Sequence, residues 1–196
     1  IIKNIIILNH ENAKYNFVKL NTTVDLNDWD LPAYVVNAYF NPTRNEIIFP
    51  TSILQSPFFD LTKSDIYNYA HIGSIIGHEI IHGFDDQGAQ FDADGNLKMW
   101  WSDADFKNFK NKTKLIIDQF NSYKAIDTLH VNGELTQGEN IADLGGLTMA
   151  YYAYKRTLDG KKSPVMDGFT GEQRFFISWA QGWKTLMRDA YLQQMI

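Results

Sequence analysis

The chain has 196 residues, of which 44% are hydrophobic, 14% aromatic and 21% charged, with a net charge of −5 at pH 7. At about 150 residues per domain this is one domain, or one with an appendage, long enough to bury about 70% of its unfolded surface without a disulfide or metal holding the core. The composition excludes disorder for most of the chain, and the acidic balance argues against a nucleic-acid partner. The absence of cysteine excludes disulfides, thiolate metal sites and a cysteine nucleophile, and leaves the compartment open.

No apolar run reaches the ~18 residues of a membrane span, and Ile1 to Leu8 is too short, too interrupted and wrongly laid out for a signal peptide. The chain begins at Ile rather than Met, as expected of a processed or truncated chain. Residues 1–28 read as an irregular lead-in, and the irregular reading extends to residue 36 with weak alternation from Tyr15 to Leu20. Tyr34 to Phe40 is β-prone, Asn41-Pro42-Thr43-Arg44-Asn45 is a turn, and Glu46 to Pro50 is a second short strand. Together they predict a two-stranded ribbon.

A long helix is predicted from Ser64-Asp65 to His82-Gly83, with Ser64 or Thr62 as its cap and Gly83 as its stop. Gly88 to Leu97 is turn-rich. Asp92-Ala93-Asp94-Gly95 is a fragment of a calcium-loop pattern without its closing Glu, so it reads as a turn. A second helix opens at Ser102, with Asp105 three residues on and apolar residues from Phe106 to Phe120 at helical spacing. Asn132-Gly133 predicts a hairpin turn. A third helix covers about Gly138 to Thr157. A fourth opens at Thr170 with Gln173 completing a capping box and runs towards Met195. Trp100 and Trp101 are expected in the core, and His10 and His130 at the surface.

One motif carries chemistry: His78-Glu79-Ile80-Ile81-His82, an H-E-x-x-H on a predicted helix. Residues four apart on an α-helix are separated by about 40° in azimuth and about 6 Å along the axis, so both imidazoles can meet one tetrahedral ion. Glu79 lies about 100° round from His78, placed to reach a water at that ion as general base. Three fixed residues in five also occur by chance, and a structural helix is the alternative. The surrounding Ile72, Ile75, Ile76, Ile80 and Ile81 count against it, since two histidines and a glutamate in an apolar helix need partners.

A catalytic zinc keeps three protein ligands. Glu139, in Gly138-Glu139-Asn140-Ile141-Ala142-Asp143, is the best candidate for the third, with Asp143 one turn on to steady a ligating histidine. Glu134 is the rival. His71 is about 10 Å along the axis from His78, too far for the same ion, and reads as a packing or cleft-lining residue. Gly73 and Gly77 read as sites of close approach by another element.

Five blocks then follow in order: Val36-Asn37-Ala38-Tyr39-Phe40, Asn45 to Pro50, Ile53 to Phe59, Ile76 to Asp86, and Gly138 to Leu147. Over residues 29–195 the chain resembles the neprilysin family of zinc metalloendopeptidases, which includes the endothelin-converting enzymes, and the missing cysteines point to a bacterial member. The resemblance implies a mainly α, thermolysin-like catalytic domain with a small β-ribbon. It implies zinc held by His78, His82 and Glu139, with Glu79 as general base and Asp143 supporting a ligand. Asn37 and Ala38 would bind the substrate backbone.

The implied reaction is hydrolysis of short peptides on the amino side of bulky hydrophobic residues by a zinc-activated water, in an extracytoplasmic setting. The family's upstream helical lid domain and its downstream His-Ser-Pro segment are expected to lie outside these 196 residues. Hence the alternative expectation of a zinc- and peptide-binding fragment with little turnover. His71 stands where the family pattern leads one to expect a small residue.

Overall fold

The computed structural model describes residues 2–23, 25 and 27–195. They fall into two compact units, Ile1–Pro32 and Ala33–Ile196.

The first unit corrects the expected irregular lead-in, because Ile2–Lys19 is an α-helix (α1) with no buried residue. Ile2, Ile5 and Ile6 do recur at helical spacing. No side-chain cap and no continued apolar stripe mark the helix in the sequence, which is why its pattern reads as irregular. Its last residue, Lys19, pairs with Asp28 and lies over the Tyr15 ring at 4.5 Å.

The second unit is mainly helical with two small antiparallel strand pairs. Strands β1 (Tyr39–Asn41) and β2 (Glu46–Ile48) form the expected ribbon, shorter than predicted, in the register Tyr39↔Ile48, Phe40↔Ile47 and Asn41↔Glu46. Asn41 closes the turn by accepting from the Thr43 N–H and hydroxyl, at 3.1 and 2.7 Å, and Asn45 takes a positive φ of 48°.

The predicted long helix is a continuous rod with a changed winding. It comprises α2 (Asp65–Asn68), a π-helical segment (Tyr69–Gly73), α3 (Ser74–Ile81) and a 3₁₀ turn (His82–Phe84). Ser64 is the N-cap residue by position, without a side-chain capping bond. The π segment has a tertiary cause. The Ile72 N–H leaves the helical ladder for the Phe58 carbonyl at 3.1 Å, and Ser74 Oγ donates to the Ala70 and His71 carbonyls, each at 2.8 Å.

Helix α4 (Asp103–Asn121) starts as predicted, with Ser102 Oγ accepting from the Asp105 N–H at 3.1 Å. The hairpin that follows pairs β3 (Lys124–Ile126) with β4 (Leu129–His130), so its turn is at Asp127-Thr128 and not at Asn132-Gly133. Asn132 instead leads into α5 (Gln137–Thr157), its carbonyl accepting from Thr136 at 3.0 Å and its side chain from Leu135 at 3.0 Å. Helix α6 (Gly171–Gly182) carries the predicted capping box of Thr170 and Gln173 but stops at Gly182. A separate α7 (Asp189–Met195) follows.

Helix α5 lies against α3 along its length. Gly77 and Gly146 make that contact possible, since a Cβ on Gly77 would lie 2.7 Å from Gly146 Cα. Gly73 has ordinary room. One core cluster joins Ile66, Ala70, Ala150, Tyr154 and Phe175 from α2, the π segment, α5 and α6. A second joins Ala38, Ile53, Ile72 and Ile75. Trp100 is not in the core: it is 48% exposed, while Trp101 is half-buried beside Phe109. His10 and His130 are exposed, and Asp92 turns its loop by accepting from the Asp94 and Asn96 N–H groups, both at 3.0 Å.

Candidate metal centre and active site

The close α3–α5 crossing brings the candidate ligands together. His78 and His82 lie one turn apart, their rings 4.5 Å between centroids and nearly perpendicular. Glu139, in the first turn of α5, places its carboxylate 3.3 Å from His78 Nε2 and 3.8 Å from His82 Nε2. The ligand-type atoms of these three residues all lie within 4.8 Å of one another. Glu134 is exposed and outside that group.

Each imidazole is held from behind by a carboxylate. His78 Nδ1 is 2.9 Å from Asp143 Oδ1, and His82 Nδ1 is 2.7 Å from Asp85 Oδ2. Asp85 is the residue that sequence reasoning missed. Its other oxygen accepts from the backbone N–H groups of Gln87 and Gly88, at 2.8 and 2.7 Å, which fixes the carboxylate before it meets His82. The available signal was an Asp three residues after the second motif histidine.

With both Nδ1 atoms donating to carboxylates, the two Nε2 atoms face each other as acceptors 2.9 Å apart. Two acceptors at that distance require a cation or a proton between them. Ligands on a tetrahedral zinc at about 2.0–2.1 Å stand about 3.3 Å apart, close to this arrangement, and a His₂Glu donor set is a zinc set. Burial by itself lowers the His78 pKa, but hydrogen bonds to Asp143 and Glu139 outweigh it and push it up to about 10. His82 is raised as well: burial opposes, and the hydrogen bond to Asp85 prevails. The Glu139 carboxyl is lowered, first by its hydrogen bond to His78.

Glu79 is 5% exposed. Its burial raises the carboxyl pKa against the opposing pull of His78, His82 and a backbone hydrogen bond from Phe40. It lines, with His78, His82, Glu139 and Asp143, an open cleft of about 780 Å³. Asn37 and Ala38 line the same cleft immediately before β1, not within the strand. The apolar part of the lining includes Val36, Ile53, Phe58, Ile75 and Trp183. His71 is buried and does not join the ligand group.

The model for Peptidase family M13 matches residues 37–196. Neprilysin-11 of Caenorhabditis elegans is 44% identical over 185 residues, covering 92% of this chain and 22% of the relative. An endothelin-converting enzyme homolog of Locusta migratoria is 42% identical, covering 93% of this chain and 25% of that protein. The chain thus spans about a quarter of the length of such relatives. Among solved structures, the Mycobacterium tuberculosis zinc metalloprotease Zmp1 in complex with inhibitor superposes with a TM-score of 0.87 at 49% identity, covering 91% of this chain and 28% of that one. PepO of Lactobacillus rhamnosis gives 0.74 at 38% identity, covering 86% and 25%. With the family model matched across the second unit, from the ribbon through the H-E-x-x-H helix to the chain's last residue, the chain belongs to peptidase family M13, whose cofactor is zinc.

Proposed function

We propose that this chain works in a zinc metalloendopeptidase that hydrolyses short peptides, with His78, His82 and Glu139 as ligands and Glu79 as general base. The observation that carries this reading is the meeting of three ligand-type atoms within 4.8 Å beside a buried carboxylate in one open cleft. Zinc, when bound, supplies a Lewis acid that polarises a scissile carbonyl and acidifies a water.

The chain's own groups do the rest. Asp143 and Asp85 hold the Nδ1–H tautomers, which turns both Nε2 lone pairs towards Glu139. Glu79, its pKa raised by burial, accepts a proton from the attacking water and returns it to the leaving amine. The Asn37 side chain and the main chain beside Ala38 offer hydrogen bonds to an extended peptide, as a strand does to an added strand. The apolar lining at Ile53, Phe58, Ile75 and Trp183 suits a bulky hydrophobic side chain just after the cleaved bond.

Among the described residues no helix is long and apolar enough to cross a membrane. An extracytoplasmic setting follows from the family resemblance, and one relative, 44% identical, is named membrane metallo-endopeptidase-like 1 of Mus musculus.

The test is zinc content measured beside hydrolysis of amino-blocked short peptides. Glu79→Gln should keep about one zinc per chain and lose about 10²- to 10⁴-fold in turnover. Unchanged turnover in that variant would remove Glu79 as base.

A further inference from the structure

Next to the chain segments that carry two apolar residues of the cleft lining, Phe58 and Trp183, stands a buried histidine that the proposed reaction does not use. His71 is 5% exposed and sits in the π segment. Its Nδ1 donates to the Tyr67 carbonyl at 2.8 Å, with Ser178 Oγ 3.4 Å away. Its ring stacks on the Tyr67 ring at 4.0 Å between centroids and 24° between planes. The Tyr67 hydroxyl in turn donates to the Pro57 carbonyl. The Cδ2–Nε2 edge of the same imidazole meets the end of α6 at Gly182, where a Cβ would lie 2.5 Å from Cδ2 and 2.7 Å from Nε2.

Both ends of this row lie one residue from the cleft. Phe58 follows Pro57, Trp183 follows Gly182, and both line it. The Phe58 carbonyl also accepts the Ile72 N–H from the residue next to His71. We propose that the row Pro57–Tyr67–His71–Gly182 is a strut that sets the distance between Phe58 and Trp183, making His71 a positioning residue for the side chain that the apolar lining of the cleft accepts. The physical reason is packing. Gly182 has no side chain, so the imidazole is what fills the space beside the end of α6. Without the ring that backbone borders a void, and the helix end relaxes into it. The single-turn π winding places the ring there, the kind of local irregularity that recurs at functional sites.

The test has two arms, and only the second rests on the peptidase reading. In the first, the full chain is labelled with 5-fluorotryptophan, and the Trp183 fluorine resonance is assigned by its loss in Trp183→Phe. His71→Ala should move that resonance. His71→Phe, which keeps a stacked ring, should leave it in place. Gly182→Ala should move it in the parent chain and move it less in the His71→Ala background, because the ring it strikes is gone.

In the second arm, zinc-loaded chains are given blocked peptides that differ only in the residue after the cleaved bond. His71→Ala should lower the preference for Phe over Ala by about tenfold, the scale of an altered apolar pocket. The change should appear in KM, with kcat and zinc content little altered, and His71→Phe should restore it. An unmoved Trp183 resonance in folded His71→Ala would overturn the strut. So would an equal displacement in His71→Phe, which would assign the role to the hydrogen bond. If the parent chain cleaves none of the peptides, the peptidase reading fails while the fluorine spectra still decide the strut.

Discussion

The two carboxylates behind the candidate zinc-binding histidines, His78 and His82, reach the same arrangement by different routes. Asp85 is three residues after His82, 5% exposed in its side chain, and fixed by two backbone N–H groups of its own turn. Asp143 comes from 65 residues away in sequence, is 45% exposed in its side chain, and depends on how α5 lies across α3. The first support is made by one local turn. The second exists only while the Gly77–Gly146 contact holds the two helices together. One half of the centre is therefore a property of a short segment, and the other half, which includes Glu139, is a property of the tertiary fold.

The largest effect should come from removing the α5 half at its proposed ligand, Glu139. Glu139→Ala is expected to weaken zinc binding by more than the about 10- to 100-fold typical of losing a supporting carboxylate, read by competition with a chelator. Zinc affinity unchanged in that variant would move the third ligand elsewhere. Two conservative changes separate the two carboxylates. Asp85→Asn and Asp143→Asn should each fall in the about 10- to 100-fold range, with Asp85→Asn the more damaging. Its amide can no longer accept fully from His82 while also serving the Gln87 and Gly88 N–H groups, and burial denies it water as a substitute. Solvent can replace part of what Asp143 gives up. Equal losses would show that burial does not separate the two supports.

How much of this was legible in the sequence follows the same divide. The i, i+4 spacing of His78 and His82 is local geometry, and so are the capping residues Ser102, Thr170 and Gln173. Glu139 and Asp143 were reachable because they too are one helical turn apart, although nothing in their spacing says which helix they face. Asp85 was missed because it lies past the helix stop read at Gly83, where helical spacing no longer says which way a side chain faces. The π winding could not be read at all. It arises when the Phe58 carbonyl takes the Ile72 N–H, a bond between distant residues. Asn132-Gly133 was misplaced because the dipeptide favours a turn without specifying a hairpin. Here Gly133 is needed for contact with α4, where a Cβ would lie 2.4 Å from the Ile117 carbonyl oxygen.

The smallest effect, and the finest test of the two supports, is in the pH dependence of the metal-free chain. Burial lowers the His78 pKa, yet its bonds to Asp143 and Glu139 carry it to about 10, above the ordinary 6.5 of an unfolded chain. His82 is raised in the same sense, chiefly by Asp85 against its own burial. A group raised in the folded state holds a proton that the unfolded state has released. Its contribution is therefore complete below about pH 6.5 and is lost as pH rises through the folded value. Asp85 is displaced the opposite way: burial would raise it, but His82 and the Gly88 and Gln87 N–H groups lower it. Its contribution is present above about pH 3.8 and is lost as pH falls through its lowered folded value. Thermal melts in excess chelator should thus decline in Tm from pH 7 towards 10. Asp143→Asn should flatten that decline more than Asp85→Asn, because the largest upward shift belongs to His78. Zinc should reverse the sign, since its ligands bind deprotonated and its stabilisation grows with pH. A metal-free Tm that stays level between pH 7 and 10 would mean that the His78–Asp143 pair forms only once zinc is bound, which would leave the local Asp85 turn as the one preorganised half of the centre.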